Sequence, residues 1–438
     1  MSSPVLLAQQ HPQRLALHNE LHARPPEPMQ PRLAISHLVL VADAAGREAS
    51  RAHLAALLRD HHLPPPDAET THLRAEVGGL KLRWELHTEF VSWTFSTPLD
   101  AVDFDERVPQ AAIERVPQLW LAQLPGQVLT AMHLWALPTA QFDSQSLVKH
   151  ALREDTLVAS SVADGHAEVY TDFAIHADGF SRMVLMAGAM TPRRLGRLVQ
   201  RLLEIETYRM AALLGLPVAR GAVAMLAQAE RELAELAEAI RSANRNEEPQ
   251  LLDRLTRLAG QVEGQYAATH SRFSASAAYF ELVDKRIGDI HESRLAGMQT
   301  IHEFLDRRLS PARATCEWAA RRQDALSQRI AQMSSLLRTR VEIEQQQASR
   351  ELLATMNRRQ DLQLKLQATV EGLSVAAITY YIVGLISYLA KGGAALGWPY
   401  GAEATAAAAI PLVAGGVWYL MRRWHRRLFR RSQDADGA

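Results

Sequence analysis

Strand-like runs fill the first part of the chain and helical spacing fills the rest. RLAISHLVLVAD (32–43), GQVLTAMHLWALP (126–138) and up to three segments within 156–188 read as strands, with turns at Asp164–Gly165 and Asp178–Gly179. Two alternating runs, TTHLRAEVGG and LKLRWELHTEFVSWTFSTP, meet at Gly78–Gly79, a pair suited to a hairpin. Ahead of them, 47–62 has the spacing of an amphipathic helix ended by Pro64–Pro66, and 12–24 reads as a short helix opened by Pro12 and stopped by Pro25–Pro26. Residues 1–190 are therefore expected to form an α+β domain with a largely antiparallel sheet.

At Thr191 the period changes. A Thr cap and Pro192 open a helix that closes at Gly215 and Pro217. Helical spacing continues, with breaks expected near Asn244–Pro249, around Ser293 and at Ser310–Pro311. After Pro311 neither proline nor glycine appears before Gly372. An unbroken helix from Ala312 to Ala390 would be roughly 120 Å long. Its apolar positions include Leu326, Ile330, Met333, Leu337, Val341, Leu352, Met356, Leu362 and Leu366, at mixed steps of three and four. Residues 191–368 thus read as a coiled-coil-like stalk, packed on the chain's own helices or on other subunits.

Two runs of eighteen residues, LSVAAITYYIVGLISYLA (373–390) and ATAAAAIPLVAGGVWYLM (404–421), contain no charge. Each approaches the ~20 residues needed to cross a bilayer core. They predict a transmembrane hairpin over 369–423, with spans near 372–390 and 403–421. Tyr388, Trp398, Tyr400, Trp418, Tyr419 and Trp424 cluster near the span ends, as interfacial aromatics do. The connecting loop holds one basic residue, Lys391. The outer flanks hold Arg358, Arg359 and Lys365 on one side and Arg422, Arg423, Arg426, Arg427, Arg430 and Arg431 on the other. This bias puts both termini, and the basic tail 424–438 at the membrane surface, in the cytoplasm.

Composition changes this picture little. Lys plus Arg (48) balance Asp plus Glu (48), so no net charge points to nucleic acid. The single cysteine, Cys316, fits a reducing compartment and, within a helical run, a packing role. The N-terminal residues lack the basic region and apolar core of a secretory signal.

Candidate chemistry is sparse. In LHNELHARPPEP, His18 and His22 are one helical turn apart and His11 shares their face. Without a firm third ligand, no metal or cofactor is expected there. The segment reads better as an arm docked on the domain, with Pro25–Pro26–Glu27–Pro28 as a stiff connector. In RWELHTE, a strand would put Arg83, Glu85, His87 and Glu89 on one face and Leu82, Trp84 and Leu86 on the other. That polar row is either a site for protons or a cation, or a solvated strand face with cross-charge pairing. HEFLD (302–306) departs from the zincin pattern at Asp306, and no phosphate loop, GxSxG elbow or CxxC pair occurs. In the first span, Glu371, Ser374, Ile378, Tyr381, Leu385 and Tyr388 fall on one stripe, either a helix-packing seam or the lining of a pore.

Taken together, LHNELHARPPEP, WELHTEF, GRLVQRLLEIETYRMAALLGLP, LLRTRVEIE and LQATVEGLSVAAITYYIVGLISYLAKG resemble a bacterial family of uncharacterised membrane-anchored proteins, domain-of-unknown-function family 3422. The resemblance spans nearly the whole chain and implies anchoring in the bacterial inner membrane without an assigned activity. The layout also resembles that of the CorA-type magnesium channels. Here, however, YLAKGGAALGW stands where that family carries Gly-Met-Asn after its first span. The expectation is a non-enzymatic, multi-pass, homo-oligomeric scaffold or sensor held in membrane lipid. The alternative is an ion channel or transporter of CorA-like architecture.

Overall fold

The computed structural model describes residues 11–15, 17, 18, 25–99, 108–244, 247–394 and 399–433, without the side chains of 394 and 424–433. By their contacts the residues fall into two compact units, Met1–Ala243 with Gln250–Ser335, and Asn244–Pro249 with Leu336–Ala438.

The first unit is built on one mixed sheet. Its strands are β1 (Leu33–Val41), β2 (His72–Val77), β3 (Leu80–Leu86), β4 (Phe90–Pro98), β5 (Gln127–Pro138), β6 (Val158–Val162), β7 (Ala167–Thr171), β8 (Ser181–Ala187) and the two-residue β9 (Ser293–Arg294). The order is β2-β3-β4-β1-β5-β8-β7-β6-β9, and every neighbouring pair is antiparallel except β5 with β8. The β2–β3 turn is Gly78–Gly79, with φ of 59° and 77°, the left-handed conformation a two-residue hairpin turn requires. The long alternating run from Leu80 to Pro98 is not one strand. It folds back through His87–Glu89, so β3 and β4 pair with each other, and Glu89 leaves the row expected for it.

Helices cover both sheet faces. Helix α1 (Ala44–Asp60), capped by Asp43, packs with α2 (Gln118–Leu121) and α3 (Ser144–Ala151) against Leu38, Leu40, Trp84, Trp93, Phe95 and Trp135. On the opposite face α4 (Pro192–Leu213), capped by Thr191, joins α6 (Glu248–Asp289) and α7 (Ile301–Ala394) over Ile35, Met132, Leu134, Val169 and Leu185. Between α4 and α6 in sequence runs α5 (Gly215–Ser242), whose first residue lies close to Ser276 of α6 and Cys316 of α7. A Cβ on Gly215 would lie 2.5 Å from Ser276 Oγ and 3.2 Å from Cys316 Sγ. Cys316 is buried in that packing, and burial pushes its thiol pKa up. Strand gives way to helix at Thr191 as the sequence indicates, yet α4, α5 and α7 as far as Ser335 share the compact unit of the sheet.

The break expected at Ser310–Pro311 does not occur, since α7 runs through Pro311. Proline removes one helical hydrogen bond. On either side of it Leu305, Leu309, Ala312, Cys316 and Ala319 are buried at helical spacing, and this packing holds the segment in register.

The segment following the N-terminal histidines docks on α4. The Met29 amide donates to the Pro192 carbonyl at 2.9 Å, Lys81 pairs with Glu27 at 3.3 Å, and Arg74 donates to the Pro25 carbonyl. Gly196 makes this approach possible, because a Cβ there would lie 1.8 Å from the Glu27 carbonyl oxygen. Gly196→Val is therefore expected to lift residues 25–29 and to cost about 1–3 kcal/mol. A lower urea midpoint and faster proteolysis ahead of Leu33 would report it. An unchanged midpoint would mean that the arm is not seated on α4.

The second unit contains the remainder of α7 and α8 (Ala402–Gln433). A cavity of about 780 Å³ is lined by Thr379, Val383 and Ser387 of α7 and by Ala406 and Ile410 of α8. Among the described residues three helical stretches, not two, are long and apolar enough to cross a membrane: Pro192–Ser242 (α4 with α5), Ile301–Gly393 and Ala402–Arg423.

Candidate functional site

A sheet buried on both faces normally carries apolar side chains on both. Three adjacent strands break that rule on the face under α4. Register puts His37 of β1 opposite Thr94 of β4, and β4 then sets Thr94 beside Arg83 and Ser92 beside Glu85 of β3. The opposite face of the same strands carries Leu38, Trp93 and Trp84 in the core. Helix α4 borders the polar patch with Gln200, Leu203, Glu204, Thr207 and Tyr208, leaving a half-open cavity of about 200 Å³. The patch is not the solvated strand face that alternation alone permits. Glu85 is buried and Arg83 nearly so.

His37 is the best-defined group here. Its Nδ1 lies 2.8 Å from Thr94 Oγ1 and its Nε2 3.0 Å from Thr207 Oγ1. The Thr207 hydroxyl donates to the Leu203 carbonyl at 2.9 Å, so toward His37 it has only lone pairs to offer. Nε2 therefore carries the proton and Nδ1 accepts from Thr94. Burial pushes the His37 pKa down from 6.5 to about 3, and the positive charges of Arg83 and His87 act in the same direction. With both nitrogens committed and the ring neutral, His37 orients the wall of the cavity and does not shuttle protons near neutral pH.

The charges around it are largely matched. Arg83 pairs with Glu85 at 2.7 Å, and Ser92 Oγ donates to the same carboxylate at 3.4 Å. Gln200 Nε2 donates to Glu204 at 2.9 Å, and Arg286 of α6 pairs with Glu204. Two buried polar atoms lining the cavity have no protein partner, Arg83 Nε and Gln200 Oε1. One donor and one acceptor without protein partners, on residues lining a small half-open cavity, suit reversible binding of a small polar molecule.

Only part of the expected row meets here. Arg83, Glu85 and His87 line the cavity, with His87 stacked on Phe90 at 4.4 Å. Glu89 faces α6 instead. It pairs with Arg272 at 2.8 Å and binds the Tyr279 hydroxyl, whose pKa is pushed up chiefly by burial and further by that carboxylate. His37, Gln200 and Thr207 are distant in sequence and no motif marks them. The alternation SWTFS (92–96) was the available signal that β4 turns hydroxyls to one face.

A serine–histidine pair also arises from distant residues. Ser36 Oγ lies 2.9 Å from His133 Nδ1. Both are buried, Ser36 Oγ also accepts from the Ile113 amide at 3.0 Å, and Phe180 stacks on the His133 ring at 4.0 Å. Burial holds the His133 pKa down at about 4. Sealed from solvent, the pair ties the sheet to the Ala112–Arg115 turn and offers no route to a substrate.

His11 and His18 are exposed, and His22 lies outside the described residues. Among the described residues no three His, Cys, Asp or Glu side chains come together as metal ligands. In the first-span stripe Ile378, Tyr381, Leu385 and Tyr388 are exposed and Glu371 and Ser374 half-buried, while Ser374 Oγ donates to the Val370 carbonyl at 2.9 Å. Of the basic tail, Arg422 lies over the Trp418 ring at 4.9 Å and Arg423 is exposed. The side chains of Arg426, Arg427, Arg430 and Arg431 lie outside the described residues.

Compared with known proteins, residues 9–428 match the model of the family described as "Protein of unknown function (DUF3422)". No curated protein and no solved structure matches the chain.

Proposed function

The chain belongs to the DUF3422 family, whose description carries no activity, and from the geometry we propose a membrane-anchored, non-enzymatic scaffold or sensor. Two helices anchor it, with its sheet-bearing unit and both termini in the cytoplasm of a bacterium and the basic tail at the inner-membrane surface. The observation that carries this reading is the contrast among the three apolar helices. In Pro192–Ser242, which holds α4 and α5, 33% of the apolar window is buried in the folded chain. The corresponding shares in Ile301–Gly393 and Ala402–Arg423 are 11% and 0%. Leu373, Tyr380, Leu389, Leu412 and Leu420 are left bare, at roughly 25 cal/mol per Å² of apolar surface kept in water. Lipid removes that cost. The sensing role rests on the cavity beside His37.

Alkaline extraction of cell membranes tests the anchor. The full chain is expected in the pellet and a chain ending at Gly372 in the supernatant. In a Cys316→Ser background, Tyr400→Cys is expected to react with an impermeant thiol reagent in intact spheroplasts and Arg338→Cys only after lysis. A full chain released by alkaline wash, or the reverse labelling pattern, overturns the reading.

We further propose that the bare part of α7 is covered by a second copy of the chain. Leu326, Ile330 and Leu337 are buried within one chain, but Leu352, Met356, Leu362 and Leu366 are exposed. A 94-residue helix needs packing along its length for stability. Native mass spectrometry from mild detergent should show an oligomer. Leu352→Ala with Met356→Ala should weaken it by about 2 kcal/mol or more, roughly thirtyfold, and Arg338→Ala far less. A conducting oligomer of CorA-like layout is the second reading, favoured by the outward position of Tyr381, Leu385 and Tyr388. A monomeric wild type would defeat both, since two spans from one chain cannot enclose a pore.

A further inference from the structure

A second cavity, of about 290 Å³, lies between α6 and α7 within the sheet-bearing unit, away from the residues around His37. Its floor is apolar, formed by the buried side chains of Phe273, Phe280 and Cys316. One polar group interrupts that floor. Gln323 is only 1% exposed, and its amide touches the protein at one end only, through Thr269.

The orientation of that amide follows from counting protons. Thr269 Oγ1 lies 2.9 Å from the Gln265 carbonyl and 3.0 Å from Gln323 Oε1, and Gln323 Nε2 is the amide end left without a partner. A hydroxyl has one proton. If it goes to the Gln265 carbonyl, as in a helical i to i−4 bond, the hydroxyl can only accept from Gln323. Both bonds form when the Gln323 NH₂ faces Thr269, and only one forms in the opposite orientation. Exchanging the two amide ends, which have nearly the same shape, satisfies both bonds and leaves the Gln323 carbonyl oxygen as the buried acceptor on the cavity side. Leaving such a group unmatched is unfavourable.

The lining carries an excess of negative charge. Glu281, Glu317 and Asp324 line the cavity with Arg313; Arg313 is paired with Asp284 at 2.6 Å and Glu317 with Arg321 at 3.2 Å, which leaves the exposed carboxylates of Glu281 and Asp324. Asp324 lines the same cavity from its exposed side and Gln323 from its buried side. We propose that this cavity binds a small organic ammonium ion, with its aromatic or aliphatic body on Phe273 and Phe280 and its N–H groups toward Gln323 and Asp324. Phenyl-sized bodies suit a space of this volume, and a carboxylate in place of the ammonium would face like charge.

The test uses the full chain in nanodiscs of zwitterionic lipid and ligand-observed fluorine NMR with 4-fluorophenethylamine. Partition into lipid is common to every variant, so the cavity is read as the difference between wild type and Ala277→Phe, which fills the space from its exposed side. Saturable binding to wild type is expected, and it is lost in Ala277→Phe. Gln323→Leu should weaken it roughly two- to tenfold, the range of one hydrogen bond. Asp324→Asn should weaken it as well and flatten its salt dependence. The anionic isostere 3-(4-fluorophenyl)propanoate should not compete. Should Ala277→Phe fail to fold, the preference of wild type for amine over propanoate and the Gln323→Leu loss still decide. Equal binding of amine and anion, or an amine affinity unchanged by Gln323→Leu, overturns the assignment and leaves a cavity that holds water only.

Discussion

Replacing Glu206 with alanine is expected to destabilise the sheet-bearing unit by about 3–5 kcal/mol, the cost of stranding one member of a buried ion pair. Glu206 is buried under the sheet. Arg209 grips it from one turn away, with Nε 2.7 Å from Oε2 and Nη2 2.6 Å from Oε1. Thr130 and Ser181 hydroxyls donate to Oε1 at 3.2 and 3.1 Å. Alanine leaves a mostly buried guanidinium without its counter-charge and two strand hydroxyls without their acceptor. Glu206→Gln keeps an acceptor and should cost less. Glu206→Leu combined with Arg209→Met removes both charges and should recover much of the loss, giving a large coupling energy in a double-mutant cycle. Urea unfolding followed by fluorescence of the buried Trp84, Trp93 and Trp135 measures each variant. If the two single effects simply add, the pair is not the unit described here.

Acid should destabilise the same unit through His37. Its folded pKa of about 3 lies below the ordinary 6.5, so between those values the unfolded chain binds a proton that the folded chain refuses. The stability this group contributes is complete above pH 6.5 and is lost as pH falls toward 3. From pH 6.5 to 4 the loss from His37 alone is about 3 kcal/mol, at 1.36 kcal/mol per unit. His133, held down at about 4 by burial, adds to it over the same range. His37→Gln preserves a donor and an acceptor but cannot titrate. Its stability deficit against wild type should therefore shrink by about 3 kcal/mol between pH 6.5 and 4. Parallel stability curves for the two proteins would show that His37 titrates normally and is not sealed between β1, β4 and α4.

The candidate site was half visible in the sequence. Alternation put Arg83 and Glu85 on one side of a strand and Leu82 and Trp84 on the other, because side chains alternate along any extended chain. Alternation does not say what lies over the polar side. That depended on α4, more than a hundred residues later, and on the β1–β4 register that sets His37 against Thr94. It depended also on the turn at His87–Glu89, which ended β3 and sent Glu89 to Arg272. Nothing local distinguishes that turn from continued strand. The through-going helix at Pro311 has a similar origin, with a local breaker overridden by buried neighbours on both sides.

What the sequence by itself determined was everything that rests on local geometry and on gross composition. The Gly78–Gly79 hairpin, the Thr191 cap with Pro192, the shift from strand to helix period and the two charge-free runs each follow from a few adjacent residues. Turn dihedrals, capping bonds and apolar length are satisfied within the segment itself. Only the tertiary structure decided which apolar helix is covered and which is bare. The runs in 192–242, 301–393 and 402–423 all pass the same test of length and apolarity, and they differ in how much of each the folded chain buries. Likewise only packing turned a glycine at 196 into the seat of the N-terminal arm and a glutamine at 323 into a buried, half-satisfied amide. Burial is a property of neighbours brought together from distant parts of the chain, and no window of sequence contains them.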